Sequence, residues 1–175
     1  MSQPECIAEG RHLRLLRLGN WEYVERRDTS GIVAVVAVTD DDRVVLVGQF
    51  RAAVSRRCIE LPAGLADDSA EHRDEDLVAA ARRELLEETG YEAERFEHLC
   101  AGPPSAGLSS EVITFYRAHG LRRVGTGGGD ADERITVHEI PLRQADDWLK
   151  REAAAGALID PKVYTGLYFS APRAT

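Results

Sequence analysis

The chain has 175 residues, 43% of them hydrophobic and 30% charged, with a formal net charge of −8. That length is read as one domain over residues 1–175, able to bury roughly 70% of its unfolded surface and too apolar to be disordered. Thirty acids against 22 bases argue against a duplex-DNA partner, which needs a basic face.

The opening MSQPECIAEG holds neither a basic nor an apolar run, so it does not read as a secretory signal. Residues 12–27 contain HLRLLRL and WEYVERR joined by Gly19-Asn20, a pair that reads as a hairpin turn. IVAVVAV (32–38) is a β-branched apolar run and reads as a buried strand, far short of the ~20 residues a membrane helix needs. The polar turn Thr39 to Asp42 leads to a second strand, RVVLVGQF (43–50). Residues 57–61 then run into Pro62-Ala63-Gly64, which breaks the strand pattern. Cys6, Cys58 and Cys100 are odd in number with no short spacing, as expected of free thiols in a reducing cytosol. The expectation is a soluble, cytoplasmic protein with no membrane and no nucleic-acid partner.

An acidic loop, DDSAEHRDED (67–76), precedes the strongest helix signal, LVAAARRELLEET (77–89). Gly90 stands where a left-handed C-cap is expected. Strands are expected at 96–101, 111–118 and 134–140, with a loop, GPPSAGLSS, between the first two. Gly125-Thr126-Gly127-Gly128-Gly129 reads as a flexible loop. Residues 142–158 read as one helix whose stripe, Leu142, Ala145, Trp148 and Leu149, faces the core.

Chemistry concentrates on the 77–89 helix. Glu84, Glu87 and Glu88 sit at i, i+3 and i+4, within about 100° of arc. Like charges so placed repel one another by a few tenths of a kcal/mol per pair. A divalent cation turns that repulsion into a hard-oxygen site. Val78, Ala81 and Leu85 offer the adjacent face for packing, and Arg83, four residues before Glu87, is placed to hold it. On spacing alone, a charged surface helix looks the same. There is no HExxH pair, no GxxxxGK[ST] loop and no GxGxxG after a strand.

Glu60-Leu61-Pro62-Ala63-Gly64, then Glu75, then Arg83-Glu84-x-x-Glu87-Glu88-x-Gly90-Tyr91 together resemble the Nudix hydrolase signature. Glu75 stands seven residues before Arg83, as the pattern asks, whereas ten residues rather than five separate Gly64 from Glu75. Val45 to Arg51, followed by Glu60 to Gly64, resembles the ADP-ribose and nucleotide-sugar branch of that family. In the loop after the box, Ala106 stands where the branch usually has proline, while Gly107 and Glu111 fit its continuation.

The resemblance implies an α/β (α+β) fold: a Nudix-like α/β/α sandwich with a mixed sheet and extra N-terminal strands. It implies a metal shell of Glu84, Glu87, Glu88 and the Ala63 carbonyl, holding Mg2+ or Mn2+. Substrate contacts fall on Arg51, Glu60, Gly107 and Glu111. Trp21, Tyr23 and Phe50 are candidate base platforms. The catalytic set is Glu133, Glu87 and Arg83, with Glu133 the general base in a mobile loop before a late strand and Glu139 its rival. Residues 1–30 would form a β arm across a homodimer. The implied reaction is hydrolysis of ADP-ribose to AMP and ribose 5-phosphate. The alternatives are another nucleotide sugar such as GDP-mannose, or a non-catalytic nucleotide-sugar sensor.

Overall fold

The computed structural model describes residues 3–67, 72, 74–129 and 134–171. Three short strands come first: β1 (Glu5–Glu9), β2 (Leu13–Leu18) and β3 (Trp21–Arg26) form an antiparallel meander. The hairpin turn falls where expected: Leu18 pairs with Trp21 across Gly19-Asn20. All five residues of β1 are exposed, so it carries no burial pattern by which to foresee it.

The remaining strands are β4 (Gly31–Ala37), β5 (Arg43–Arg51), β6 (Arg56–Glu60), β7 (Ala63–Ala66), β8 (Tyr91–Glu92), β9 (Arg95–Gly102), β10 (Ile113–His119), β11 (Arg122–Arg123), β12 (Thr136–Pro141) and β13 (Leu158–Ile159). The helices are α1 (Leu77–Thr89), α2 (Ala145–Ala154) and α3 (Pro161–Ser170). One mixed sheet has the order β7-β4-β10-β9, with β4 and β10 parallel. A second has the order β12-β5-β6-β13. A bridge between Val38 and Val44 links β4 to β5.

β4 explains why its sequence lacks polar alternation. Val33, Val35 and Ala37 pack with Ala81 and Leu85 of α1, whereas Ala34 and Val36 pack with Leu149 of α2 and Val163 of α3. A strand covered on both faces reads as an unbroken apolar run. Val33 to Ala37 are fully buried, and each valine stabilises the fold by about 1.5–3 kcal/mol relative to exposure. The expected layering, helix over sheet over helix, is thereby observed, with the three-stranded meander as the extra N-terminal strands.

α1 begins where the Asp76 carboxylate accepts from the Ala79 N–H at 2.7 Å, and ends at Gly90 with φ +73°. Its packed stripe is Leu77, Ala81 and Leu85, with Ala80 beside it. Val78 does not share the stripe as expected; it lies in the first turn and stays exposed.

The expected 142–158 helix is shorter. Residues 142–144 form a 3₁₀ turn, α2 stops at Ala154, and Gly156 at φ +97° turns the chain into β13. α3 follows at once, capped by Asp160 with Pro161 in its first turn, a local start signal that the sequence reading passed over. β10 starts at Ile113 rather than 111, because Glu111 turns away to Arg26. No described helix is long and apolar enough to cross a membrane.

Candidate active site

The wheel of α1 divides its acids. At 100° per residue, Glu84 and Glu88 lie 40° apart and fall inside the buried arc with Ala81, while Glu87 falls on its edge. Glu84 and Glu88 are 9% and 3% exposed, whereas the Glu87 side chain is 44% exposed. The expected set of three is thus two carboxylates turned inward and one at the rim.

The inward pair faces the Pro62-Ala63-Gly64 turn. β7 lies antiparallel against β4, with Ala63 opposite Ala34 and Gly64 opposite Val33, and the Val35 N–H donates to the Pro62 carbonyl at 2.8 Å. This places the Ala63 N–H 3.0 Å from Glu88 Oε2, to which it donates. Gly64 lies directly over Glu84. A Cβ built there would stand 2.0 Å from the Glu84 carboxyl carbon, so only glycine leaves room for that carboxylate.

Arg83 organises the outer side. It donates to both oxygens of Glu75 at 3.1 and 3.2 Å, to Glu84 Oε1 at 2.8 Å, to Glu87 Oε2 at 3.1 Å and to the Leu65 carbonyl at 2.8 Å. Burial would favour losing its proton; the Glu75 hydrogen bond and the Glu84 charge outweigh that, and the guanidinium is held firmly protonated. The five extra residues of the acidic loop leave Glu75 in register. The Asp74 N–H donates to Asp67 at 2.9 Å, which closes the neck of the insertion before Glu75.

A cleft of about 550 Å³ opens beside these groups. Glu60, Ala63, Glu84 and Glu88 line it, with Arg51 and Glu111. Arg51 meets Glu60 in a two-pronged pair at 2.7 and 2.5 Å, which compensates a carboxylate that is only 4% exposed. Arg26 pairs with Glu111 at 2.9 Å. Lys162, at the start of α3, also lines the cleft and pairs with Asp160. Sequence reasoning missed Arg26 and Lys162. For Lys162 the available signal was the Asp160-Pro161 helix start. Cys58 forms part of the wall; burial, and then Glu60, push its thiol up, so it acts as a protonated apolar surface.

Other expected site residues stand apart from the cleft. Trp21 is 58% exposed at the start of β3, and Gly107 sits in an exposed turn. Phe50 is exposed and Tyr23 half-buried; neither lines the cleft. Glu139, on β12, is tied to Arg123 at 2.6 Å and lies outside the cleft. Glu133 lies outside the described residues. The glycines of 125–129 are anchored rather than loose: Gly128 and Gly129 donate to the Glu88 and Glu87 carbonyls at 2.9 and 3.0 Å.

The donor set suits a hard cation. Two carboxylates converge on a cleft at a glycine whose missing side chain keeps the space open. A hard divalent cation can take one or two such carboxylates and fill its shell with water and phosphate oxygens.

Comparison with known proteins agrees with this geometry. The NUDIX domain model matches residues 29–161. A methanol dehydrogenase activator from Bacillus methanolicus is 37% identical over 157 residues, covering 86% of this chain and 82% of that protein. An ADP-ribose pyrophosphatase from Mycobacterium tuberculosis is 37% identical over 150 residues, covering 82% of this chain and 70% of its own length. The crystal structure of an ADP compounds hydrolase superposes with a TM-score of 0.65 at 24% identity, covering 85% of this chain and 80% of that one. A turn that seats two buried carboxylates, the Glu75–Arg83 brace and a family match over most of the chain lead to one conclusion: this protein belongs to the Nudix family, and it is a hydrolase.

Proposed function

We propose that the protein hydrolyses the diphosphate bond of a nucleoside diphosphate linked to a sugar, with ADP-ribose, giving AMP and ribose 5-phosphate, as the leading substrate. The observation that carries this reading is the charge of the cleft. Among the described lining residues, five acids (Glu60, Glu84, Glu88, Glu111, Asp160) stand against three bases (Arg26, Arg51, Lys162), a net −2. Each base is already paired with an acid. A bare diphosphate would be repelled there, whereas one carrying a divalent cation would not. Nudix hydrolases generally use divalent cations, and Mg2+, with Mn2+ as a substitute, is the choice for this chain. The ADP-ribose pyrophosphatase among its relatives supports the substrate class.

In this reading Glu84, Glu88 and the Ala63 carbonyl hold the cation, with Glu87 at the rim. When bound, the cation supplies neutralisation of the diphosphate oxygens and a more acidic water. Arg83 keeps Glu84 and Glu87 oriented. Glu133 takes the proton of the attacking water. Water adds to one phosphorus, the bridging P–O bond breaks, and the leaving phosphate departs with the bridging oxygen. The rival Glu139 is disfavoured by its pairing with Arg123. Arg51, Glu60 and Glu111 contact the substrate within the cleft, and Gly107 does so from the neighbouring loop.

The N-terminal arm, residues 1–30, joins two copies as a homodimer. Leu18 and Trp21, paired across its hairpin, lie exposed on one face of it, an apolar patch suited to burial against a second copy. Trp21 would then reach a nucleotide only across the subunit boundary.

The test is incubation with Mg2+ and a panel containing ADP-ribose, GDP-mannose and other nucleotide sugars, with products separated by ion exchange. AMP and ribose 5-phosphate should appear fastest from ADP-ribose. A Glu88→Gln protein should lose orders of magnitude in rate while staying folded. No turnover on any panel member, with saturable binding of one, would refute the catalytic reading.

A further inference from the structure

The end of α1 is closed by a separate segment. A helix leaves its last carbonyls without partners, and most helices meet them with local turns or water. Here the Gly90 N–H caps Leu86 at 2.8 Å, and the carbonyls of Glu87 and Glu88 receive the N–H groups of Gly129 and Gly128 at 3.0 and 2.9 Å. The Gly90 carbonyl in turn accepts from Val124 and Gly125 at 2.8 and 3.1 Å. The backbone units of two acids are therefore hydrogen-bonded to a loop some 40 residues later in the chain.

The approach is backbone against backbone. A Cβ on Gly127 would stand 2.4 Å from the Thr89 carbonyl carbon and 2.5 Å from the Glu88 carbonyl oxygen, and its φ is +65°. A Cβ on Gly90 would meet the Gly125 carbonyl oxygen at 2.3 Å. Neither obstacle is the movable tip of a side chain. By contrast, a Cβ on Gly125 would meet only Gly90 Cα at an ordinary 3.8 Å, and its φ is not positive. Two glycines of one loop thus differ sharply in what they permit.

We infer that Gly127 is a positioning residue: its missing side chain lets the 127–129 backbone dock on α1 and hold Glu87 and Glu88 where the cation site needs them. This rests on the proposed function, in which those acids face a divalent ion. The role is indirect, since Gly127 lines no part of the cleft.

The test begins without substrate or metal. Amide hydrogen exchange on 15N-labelled wild-type protein should show Gly128 and Gly129 protected like the interior of α1. In Gly127→Ala those two amides should exchange at least about tenfold faster, since their acceptors are pushed away. Mn2+ alone, followed by electron paramagnetic resonance, should bind roughly fivefold or more weakly, and kcat should fall at least about tenfold while KM stays within about threefold. Gly125→Ala should match wild type in all four readings. If Gly127→Ala does not fold, the wild-type exchange still decides: unprotected Gly128 and Gly129 amides overturn the inference. Equal damage from Gly125→Ala and Gly127→Ala also overturns it, because simple loss of loop freedom would then suffice. Protected glycines in a protein that binds no Mn2+ would overturn the proposed function, and the positioning role with it. Labile glycines in a protein that does bind Mn2+ would overturn the positioning role alone.

Discussion

Gly64→Ala separates the site from the fold more cleanly than removal of any acid. The new Cβ would lie 2.0 Å from the Glu84 carboxyl carbon, 2.0 Å from one oxygen and 2.5 Å from the other. Carbon contacts below 3.0 Å are essentially unknown, so the carboxylate must retreat by about 1 Å or more. The obstructed group is the free end of a side chain, so β7 can keep its pairing to β4 while Glu84 loses its place. A misplacement of about 1 Å at a reacting centre costs on the order of 100-fold, equivalent to about 2.7 kcal/mol in the barrier. Overpacking costs about 1–3 kcal/mol of stability, offset by about 0.4–1 kcal/mol from the stiffer unfolded chain. The net, about 0–2.6 kcal/mol, lowers Tm by no more than about 10 °C in a chain of this size. The assay pairs kcat on the proposed substrate, ADP-ribose, at saturating Mg2+ with calorimetry and Mn2+ binding. Gly102→Ala, in β9 with nothing within 4 Å of its Cβ, is the control. A Gly64→Ala enzyme within threefold of wild type would refute the claim that Glu84 depends on that vacant volume.

Three further outcomes follow from the same geometry. Arg83→Met removes the partner of Glu75 and Glu84, whose side chains are each only 11% exposed, and should cost about 3–5 kcal/mol, read as a Tm drop of at least ~6 °C; a drop below 2 °C would mean the brace is idle. Burial, and then the Arg57 charge, hold the His138 imidazole below its usual 6.5. The unfolded chain therefore binds a proton that the folded one refuses, so stability is full above pH ~6.5, falls as pH drops toward the folded value, and flattens below it. Urea midpoints from pH 7.5 to 5 should show this slope and a His138→Asn protein should lessen it; an NMR titration placing His138 at 6.5 would abolish the effect, and one above 6.5 would reverse its sign. Glu133→Gln should lower kcat by about 100-fold or more with Mn2+ affinity unchanged; a rate within a few-fold of wild type would shift the base role to Glu87.

How much of this was legible in the sequence depends on how local each cause is. α1 was readable almost to the residue, because the Ala-Leu-Glu-Arg run and Gly90 each act within one or two turns. β4 and β5 were readable from unbroken β-branched runs. The split of residues 142–158 was not, because Gly156 and Asp160-Pro161 were outweighed by a long alanine-rich stretch that looks helical throughout. β1 has no buried face and so left no periodicity. At the site, spacing put Glu84, Glu87 and Glu88 on one arc, but only packing decides which part of that arc is buried. Arg51, Glu60 and Glu111 were expected from the resemblance, whereas Arg26, 85 residues from its partner Glu111, has no local signal. The glycine loop misled for a related reason: five residues rich in glycine suggest freedom, whereas here the absent side chains permit close docking.

That docking and the Gly64 contact have a common physical basis. Burying two carboxylates on a helix that also packs a core is unfavourable unless each oxygen finds a donor or a cation. Glu88 meets the Ala63 N–H, and Glu84 meets Arg83, so each buried carboxylate has a donor. Main chain also comes closer to α1 than a side chain would allow, at Gly64 over the Glu84 carboxylate and at Gly127 over the backbone of Glu88 and Thr89. In the proposed reading, a divalent ion arriving at Glu84 would share its carboxylate with a guanidinium that three carboxylates keep charged. Cation affinity is therefore set against Arg83 as well as by the acids.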